Sequence, residues 1–194
     1  QDGTAKVWEA ATGEEQLTLS GHDATVTRAE FSPDGSSIAT SSFDGTARIW
    51  DATSGEHLLT LPGHTTTPRA QWSPSGHRIL TVSSGLAKVW EAGTGELLPL
   101  LPAQGDLYAV WSPDGSLIAT GGSEGEIKVW DSAAGTELLD FQGHPLGVGE
   151  MGWFPSGDRI WTVSGDGSAK VWQVSQALLS LGCQPDCPPG FFGG

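Results

Sequence analysis

Residues 31–51 read FSPDGSSIATSSFDGTARIWD, and this stretch decides the fold. Ser-Pro-Asp-Gly at 32–35 places a proline where φ is preset and a glycine where φ can turn positive, which predicts a tight turn after one strand. Small and β-branched residues follow at 37–42, and Asp44-Gly45 is the strongest short hairpin signal. The stretch therefore predicts short antiparallel strands joined by tight turns.

The same pattern recurs along the whole chain. A short β-type run ends in a tryptophan at spacings of 42, 40, 40 and 42 residues, at Trp8, Trp50, Trp90, Trp130 and Trp172. The proline of the first turn repeats at spacings of 41, 39 and 42 residues, at Pro33, Pro74, Pro113 and Pro155. Two markers in phase at about 41 residues are typical of the blades of a β-propeller.

Each repeat has room for four strands. In residues 21–62, a Thr-Ser-Gly-Glu turn at 53–56 leads into a fourth strand at 58–61. Helix is not expected, because Gly or Pro interrupts every candidate window within about eight residues. We predict an all-β fold, a partial β-propeller of four-stranded antiparallel blades with about 4.5 blades in this chain. The expected blades are about 1–20, 21–62, 63–102, 103–142 and 143–181, followed by an aperiodic tail at 182–194 that we expect to be disordered.

Composition and charge exclude several classes of partner. The 194 residues carry 9 Lys+Arg against 23 Asp+Glu, a formal net charge of −14, which repels nucleic acid and anionic lipid. No apolar run approaches the roughly 18 residues that cross a membrane. The two cysteines, Cys183 and Cys187, lie in the tail and cannot brace the repeats, which favours a reducing, cytoplasmic compartment.

These markers resemble the WD-repeat (WD40) β-propeller family, whose unit runs from Gly-His through Ser-Pro-Asp-Gly and Asp-Gly to Trp-Asp. Gly21-His22, Asp44-Gly45 and Trp50-Asp51 match that unit in order, and the resemblance covers residues 1 to about 181. Propellers of this family typically have seven blades, or roughly 290 residues at this period. The resemblance therefore implies a fragment of a longer protein, with missing blades or domains in the same chain.

The resemblance also implies a buried hydrogen-bond network of His, Thr, Asp and Trp in each blade. We expect complete networks in 21–62 and 143–181, but the blade 63–102 has no hairpin Asp, and the blade 103–142 has Ala103-Gln104 for Gly-His and Glu124 for Asp. The network residues are His22, Thr40, Asp44 and Trp50; His64, Thr81 and Trp90; Thr120 and Trp130; and His144, Thr162, Asp166 and Trp172.

Catalytic and metal motifs have structural explanations. The histidines at 22, 64 and 144 each open a repeat, so we interpret them as structural rather than as metal ligands. The Gly-x-Ser-x-Gly match at 121–125 precedes a predicted strand instead of the helix that a nucleophile elbow needs. Two cysteines fall short of the four ligands of a structural zinc site. We therefore predict no enzyme activity, no cofactor and no metal.

A protein partner is the remaining expectation, at the rim where the Gly-His loops and hairpin turns meet. Phe43 is the leading candidate because its counterparts in other repeats are small or polar, although an ordinary surface residue is the competing interpretation. The full set of candidate contacts is Thr25, Thr27, Phe43, Thr66, Pro68, Leu107 and Ser123.

Three functions are consistent with these features. The first is a non-catalytic interaction scaffold or sensor propeller within a larger signalling protein. The Thr-Gly-Glu turns at 12–14 and 94–96 resemble bacterial members, for which the resemblance implies attachment to NTPase or protein-kinase domains. The alternatives are a degenerate or truncated gene product without its own function, and a propeller hydrolase.

Overall fold

The computed structural model describes residues 2–83, 85–98, 101–102 and 108–174. Within them every regular element is a β-strand, which confirms the all-β prediction. None of the described residues forms a helix long and apolar enough to cross a membrane. Leu107, the fourth strand expected near 176–181 and the tail at 182–194 lie outside the described residues. The chain divides into two units, residues 1–83 with 88–97 and residues 84–87 with 98–194.

The first unit consists of three sheets formed by strands that are consecutive in sequence. Its strands are β1 (Thr4–Trp8), β2 (Glu15–Ser20), β3 (Val26–Phe31), β4 (Ser37–Ser42), β5 (Ala47–Asp51), β6 (His57–Leu61), β7 (Arg69–Trp72), β8 (Arg78–Ser83) and most of β9 (Leu86–Glu91), whose first two residues fall in the second unit. The sheets have the orders β1-β2, β3-β4-β5-β6 and β7-β8-β9, to which β10 (Leu101–Pro102) adds a fourth strand, and each neighbour pair within β3–β6 is antiparallel. The sheet β3–β6 is thus the four-stranded meander that residues 21–62 predict.

The two turn types that the sequence predicts occur at β3–β4 and β4–β5. Gly35 has a φ of 73°, and its N–H donates to the Ser32 carbonyl at 2.9 Å. The Asp34 carboxylate accepts hydrogen bonds from Ser32 Oγ at 2.6 Å and from Ser36 N at 3.0 Å, which lower the pKa of Asp34 to about 2. The hairpin Gly45 has a φ of 81°. Glycine adopts positive φ values without strain, so both turns require glycine at these positions.

The sheets of the first unit pack face to face. One face of β3–β6 presents Ile38 and Trp50, which pack with Leu19 of β2. The opposite face presents Ala47 and Ile49, which form a cluster with residues of β7, β8 and β9. Successive side chains of a strand point to opposite faces, and the sheet β3–β6 buries side chains on both of its faces.

The second unit repeats this construction. Its strands are β10 (Leu101–Pro102), β11 (Tyr108–Trp111), β12 (Leu117–Gly121), β13 (Glu126–Asp131), β14 (Glu137–Gln142), β15 (Val148–Trp153), β16 (Arg159–Ser164) and β17 (Ala169–Gln173). Strands β11–β14 form a four-stranded sheet and β15–β17 a three-stranded one, in sequence order, while β10 pairs with Leu86 and Ala87 at the start of β9. Val129, Met151 and Trp172 belong to the buried cluster between these two sheets.

Candidate functional site: the blade network and the hairpin rim

A chain of hydrogen bonds runs through the sheet β3–β6. Trp50 Nε1 donates to Thr40 Oγ1 at 2.8 Å, and Thr40 Oγ1 lies 2.8 Å from His22 Nε2. His22 Nδ1 lies 2.8 Å from Asp44 Oδ2. Because a carboxylate only accepts, the His22 proton belongs on Nδ1, and the Thr40 hydroxyl donates to Nε2. One neutral imidazole therefore links the hairpin turn to the buried indole.

The charges of this network are fixed by burial and by hydrogen bonds. Burial lowers the pKa of His22, more than the Asp44 carboxylate raises it. Burial alone would raise the pKa of Asp44, but hydrogen bonds from Thr46 and His22 outweigh it and lower that pKa to about 2. At neutral pH the pair is thus a neutral imidazole donating to a carboxylate.

The sheet β15–β17 contains the same arrangement. Trp172 Nε1 donates to Thr162 Oγ1 at 2.8 Å, and Thr162 Oγ1 lies 2.8 Å from His144 Nε2. His144 Nδ1 lies 2.9 Å from Asp166 Oδ2. A hydrogen bond from Ser168 Oγ is the largest cause that lowers the pKa of Asp166 to about 2. The structure thus brings together the four residues of each set that the sequence predicts to be complete.

The sheet β7–β9 keeps part of the arrangement. Trp90 Nε1 donates to Thr81 Oγ1 at 2.8 Å, and His64 Nε2 lies 2.8 Å from the same oxygen. This repeat has no hairpin aspartate, so no carboxylate offsets the burial of the ring. Burial, with a smaller contribution from the Lys88 charge, lowers the pKa of His64 to about 4. The His64 ring is therefore neutral over most of the physiological pH range.

The sheet β11–β14 departs further from the pattern. Trp130 Nε1 still donates to Thr120 Oγ1 at 2.9 Å. Glu126 stands where the complete repeats have Thr46 and Ser168, and both its carboxylate oxygens are buried without a hydrogen-bond partner in the described structure. A Cβ added to Gly122 would lie 1.7 Å from Glu126 Oε1. The carboxylate of Glu126 thus occupies space that a side chain at position 122 would fill.

Sequence reasoning missed a serine that supports each complete hairpin. Ser42 Oγ accepts the Asp44 N–H at 3.1 Å and donates to the Ala24 carbonyl at 3.0 Å. Ser164 makes the equivalent hydrogen bonds, to the Asp166 N–H at 3.2 Å and to the Leu146 carbonyl at 3.1 Å. Their regular position two residues before the hairpin aspartate is the sequence signal that identifies them.

The hairpin turns at Gly45 and Gly125 each pack against the Gly-His loop of the next repeat. A Cβ added to Gly45 would lie 2.5 Å from the His64 carbonyl oxygen. In the second unit a Cβ on Gly125 would lie 2.1 Å from the His144 carbonyl oxygen. This contact places the hairpin residues next to the residues that follow each histidine, and we call the surface they form the hairpin rim.

In the first unit, four of the predicted contact residues lie at the hairpin rim. The Phe43 side chain is 66% exposed, and its N–H donates to the Thr25 carbonyl at 3.0 Å. Thr27 and Thr66 are exposed, and Thr66 Oγ1 is hydrogen-bonded to Ser83 Oγ.

The prediction that Pro68 contacts a partner is wrong, because this residue is buried. The physical reason is that it directly precedes β7, whose Ala70 lies in the buried cluster that contains Ile49.

In the second unit, Ser123 is exposed at the turn between β12 and β13. Sequence reasoning missed Leu146, which is 54% exposed two residues after His144, the position that Thr66 occupies after His64. A Cβ on the adjacent Gly147 would lie 2.6 Å from the Ser123 carbonyl oxygen, so Leu146 flanks a residue packed on that turn. Leu107 lies outside the described residues.

The described residues hold no group of three or more His, Cys, Asp or Glu side chains that could bind a metal ion. The imidazoles and carboxylates that the sequence brings together in pairs are already hydrogen-bonded within their sheets, as in His22 with Asp44.

The repeats of this chain match a known protein-family model. The model described as "WD domain, G-beta repeat" matches four times, over residues 13–51, 55–91, 95–131 and 135–173.

Two curated proteins match over single repeats. A periodic tryptophan protein 2 homolog of Caenorhabditis elegans is 42% identical over 45 residues, which are 23% of this chain and 5% of that protein. An uncharacterized WD repeat-containing protein of Nostoc sp. (strain PCC 7120) is 50% identical over 38 residues, 20% of this chain and 2% of that protein. The chain thus matches only a small part of the length of these relatives.

Two solved structures of computationally designed proteins match over most of the chain. Ika8 superposes with a TM-score of 0.79 and 30% identity, covering 89% of this chain and 53% of Ika8. Ika4 superposes with a TM-score of 0.74 and 28% identity, covering 84% of this chain and 100% of Ika4.

Proposed function

This chain belongs to the WD40 repeat family, and from that premise we propose that it is a non-catalytic scaffold or sensor that binds a protein partner at its hairpin rim. Propellers of this family generally serve as protein-interaction scaffolds. Function is carried by sites rather than by folds, so the proposal rests on the rim residues of this chain.

The exposure of Phe43 is the observation that carries the proposal. Its ring is exposed at the hairpin turn, while the backbone beneath it is held by the hydrogen bond to Thr25 and by the packing of Gly45 on His64. Aromatic side chains on a fixed backbone bury much area at little conformational cost, and they dominate the energy of protein interfaces. Phe43 therefore offers an anchor for a partner.

Leu146 supports the proposal from the second unit. It is exposed at the equivalent of Thr66, so each unit has a large apolar side chain exposed at the described part of its hairpin rim. The net charge of −14 favours a partner whose binding surface is positively charged, because opposite charges speed association and suppress wrong partners. We infer a protein partner with apolar pockets inside a basic surface.

We also infer that this propeller is the sensor part of a larger signalling protein and acts in the cytoplasm. One support is the Thr-Gly-Glu turns, which resemble those of bacterial members. The other is the match to the WD repeat-containing protein of Nostoc, in which the 38 matched residues are 2% of the whole length. Sequencing the genomic DNA on both sides of the reading frame tests this inference. An open frame that continues into a kinase or NTPase domain is the expected result, and stop codons directly on both sides would contradict it.

The partner site is tested by capture with matched variants. Wild type, Phe43→Glu and Leu58→Glu are immobilised and exposed to the cytosol of the source organism, and bound proteins are quantified by mass spectrometry. Leu58 is a suitable control because it is an exposed apolar residue on β6, away from the hairpin turn. We expect a partner that wild type and Leu58→Glu retain and that Phe43→Glu loses at least about tenfold. Equal retention by all three proteins would contradict a site at Phe43.

A degenerate gene product is the second candidate. The observation that favours it is the β11–β14 sheet, where the buried carboxylate of Glu126 has no partner in the described structure. Sequence decay under no selection would leave such defects in place. A reproducible partner that depends on Phe43 would exclude this candidate.

A further inference from the structure

The sheet β15–β17 has an apolar face that remains exposed. Val171 and Val163 are 48% and 39% exposed, and Ala169 beside them is exposed as well. Trp161 lies on the same face, with its ring over Gly152, where an added Cβ would lie 2.7 Å from the indole. These four residues, Trp161, Val163, Ala169 and Val171, form what we call the receiving face.

The same face is buried in the other sheets. Ile49, Val89 and Val129 occupy the position of Val171 in their repeats, and none is more than 2% exposed. In the first unit, Ile49 packs with Ile79 and Trp90 of the following repeat. In the second unit, Val129 packs with Ile160 and Trp172 of the following repeat. The receiving face thus has the shape and composition of a surface that packs against another repeat.

The sheet β1–β2 exposes the complementary face. Trp8 is 55% exposed, whereas the four equivalent tryptophans at 50, 90, 130 and 172 are at most 7% exposed. Lys6 Nζ lies 5.6 Å from the centroid of the Trp8 ring, and Lys88 Nζ lies 5.4 Å from that of Trp90. Trp8 is therefore held next to its lysine as the buried tryptophans are. We call this the inserting face.

We propose that a second copy of this chain covers the receiving face, with Trp8 of one copy packed against Trp161 and Val171 of the other. The chain already makes this kind of junction in its first unit, for example where Trp50 packs with Leu19 and with the partly buried Ala5 and Val7. Ala5 and Val7 occupy, in their own repeat, the positions of Ala169 and Val171. The proposed junction is thus a further copy of an established one.

A second copy also fits in size. The match covers 53% of Ika8, so the part of that protein left unmatched is nearly as long as the part that this chain matches. Residues 174–194 carry none of the Gly-His or Ser-Pro-Asp-Gly markers that open a repeat. Further blades of a longer chain are the other possible occupant, and the test separates the two.

Analytical ultracentrifugation of the 194-residue chain gives the first measurement. We expect wild type to be a discrete dimer at micromolar concentration, with association weakened at least about tenfold in Val171→Glu, Val163→Glu and Trp8→Glu, because a charge in a desolvated apolar contact is costly. Leu58→Glu is the matched control on an outer strand and leaves association unchanged. Circular dichroism checks that each variant is folded. Because the receiving face is changed in two separate variants, the test still stands if one of them does not fold.

Mixing the variants tests the direction of packing. Val171→Glu keeps an intact inserting face and Trp8→Glu an intact receiving face, so an equimolar mixture restores one junction and forms a heterodimer that neither variant forms alone. Because each copy carries a charge of −14, screening by salt strengthens this apolar association. A monodisperse wild-type monomer would overturn the proposal in favour of blades from a longer chain. Association that all variants share equally, or that Trp8→Glu leaves intact, would also overturn it.

Discussion

Trp50 Nε1 donates a hydrogen bond to Thr40 Oγ1 at 2.8 Å, across the paired strands β4 and β5. The same bond joins Trp90 to Thr81, Trp130 to Thr120 and Trp172 to Thr162, at 2.8–2.9 Å. It is the one element of the network present in all four of these sheets, including those that have lost the aspartate. The threonine is thus the point at which the histidine and the tryptophan meet.

Replacing the threonine should cost more where it has two partners. We expect Thr40→Val to lower the free energy of unfolding by about 1–3 kcal/mol, because it leaves the Trp50 N–H and His22 Nε2 buried without their partner. Thr120→Val should cost less, because Thr120 Oγ1 receives only the Trp130 hydrogen bond in the described structure. Urea denaturation of both variants measures the difference, and equal losses would contradict a linking role for Thr40.

Tryptophan truncation should depend on the repeat. Trp50 is buried against Leu19 and Ile38, so Trp50→Ala should lower the free energy of unfolding by about 3–5 kcal/mol through the cavity and the lost hydrogen bond. Trp8 is more than half exposed, and Trp8→Ala should cost less than about 1 kcal/mol in the monomeric chain. Urea titrations at a concentration below that of self-association compare the two, and an equal effect would contradict the burial argument.

The pH dependence of stability should contain a contribution from His64. Its pKa falls from 6.5 to about 4 on folding, so between these values the unfolded chain binds a proton that the folded chain does not. Stability is therefore lost as pH falls through this window. His64→Gln should flatten the dependence of the urea midpoint between pH 6.5 and pH 4. The exposed His77→Gln serves as the control, and a slope unchanged by His64→Gln would refute the assignment.

The pair Gly122 and Glu126 should show strong coupling. Gly122→Ser alone places a Cβ on the Glu126 carboxylate and should destabilise the chain. Glu126→Thr alone removes a buried carboxylate without a partner and should be neutral or stabilising. The double variant restores the residue types found at Ser42 and Thr46. A double-mutant cycle should therefore give a favourable coupling of about 0.5–3 kcal/mol, and additivity would show that the two positions do not interact.

Features that recur at the repeat period were predictable from sequence. Trp50, Thr40, His22 and Asp44 stand at fixed offsets from turn signals, and these offsets predict their positions because the repeats share one order of strands and turns. The strand pairing followed from the same logic, because Asp44-Gly45 sets the hairpin and its register.

Features that depend on a neighbour were not predictable. Pro68 reads as a loop residue but is buried, because burial depends on the packing at the start of β7. Val171 is exposed, although Val89 and Val129 stand at the same place in their repeats and are buried. The compensation between Gly122 and Glu126 is visible only once the distance between them is known.

The close approach of Gly45 to the His64 carbonyl restricts how such a surface can evolve. No residue with a Cβ fits at position 45, so this glycine cannot be replaced without moving the backbone. Position 43, two residues earlier, faces solvent and accepts any side chain. Changes in the partner can therefore arise by single substitutions that leave the backbone unaltered. Phe43 and Ser123 are two such exposed positions, in different repeats, so a chain of repeats can acquire a new specificity one residue at a time.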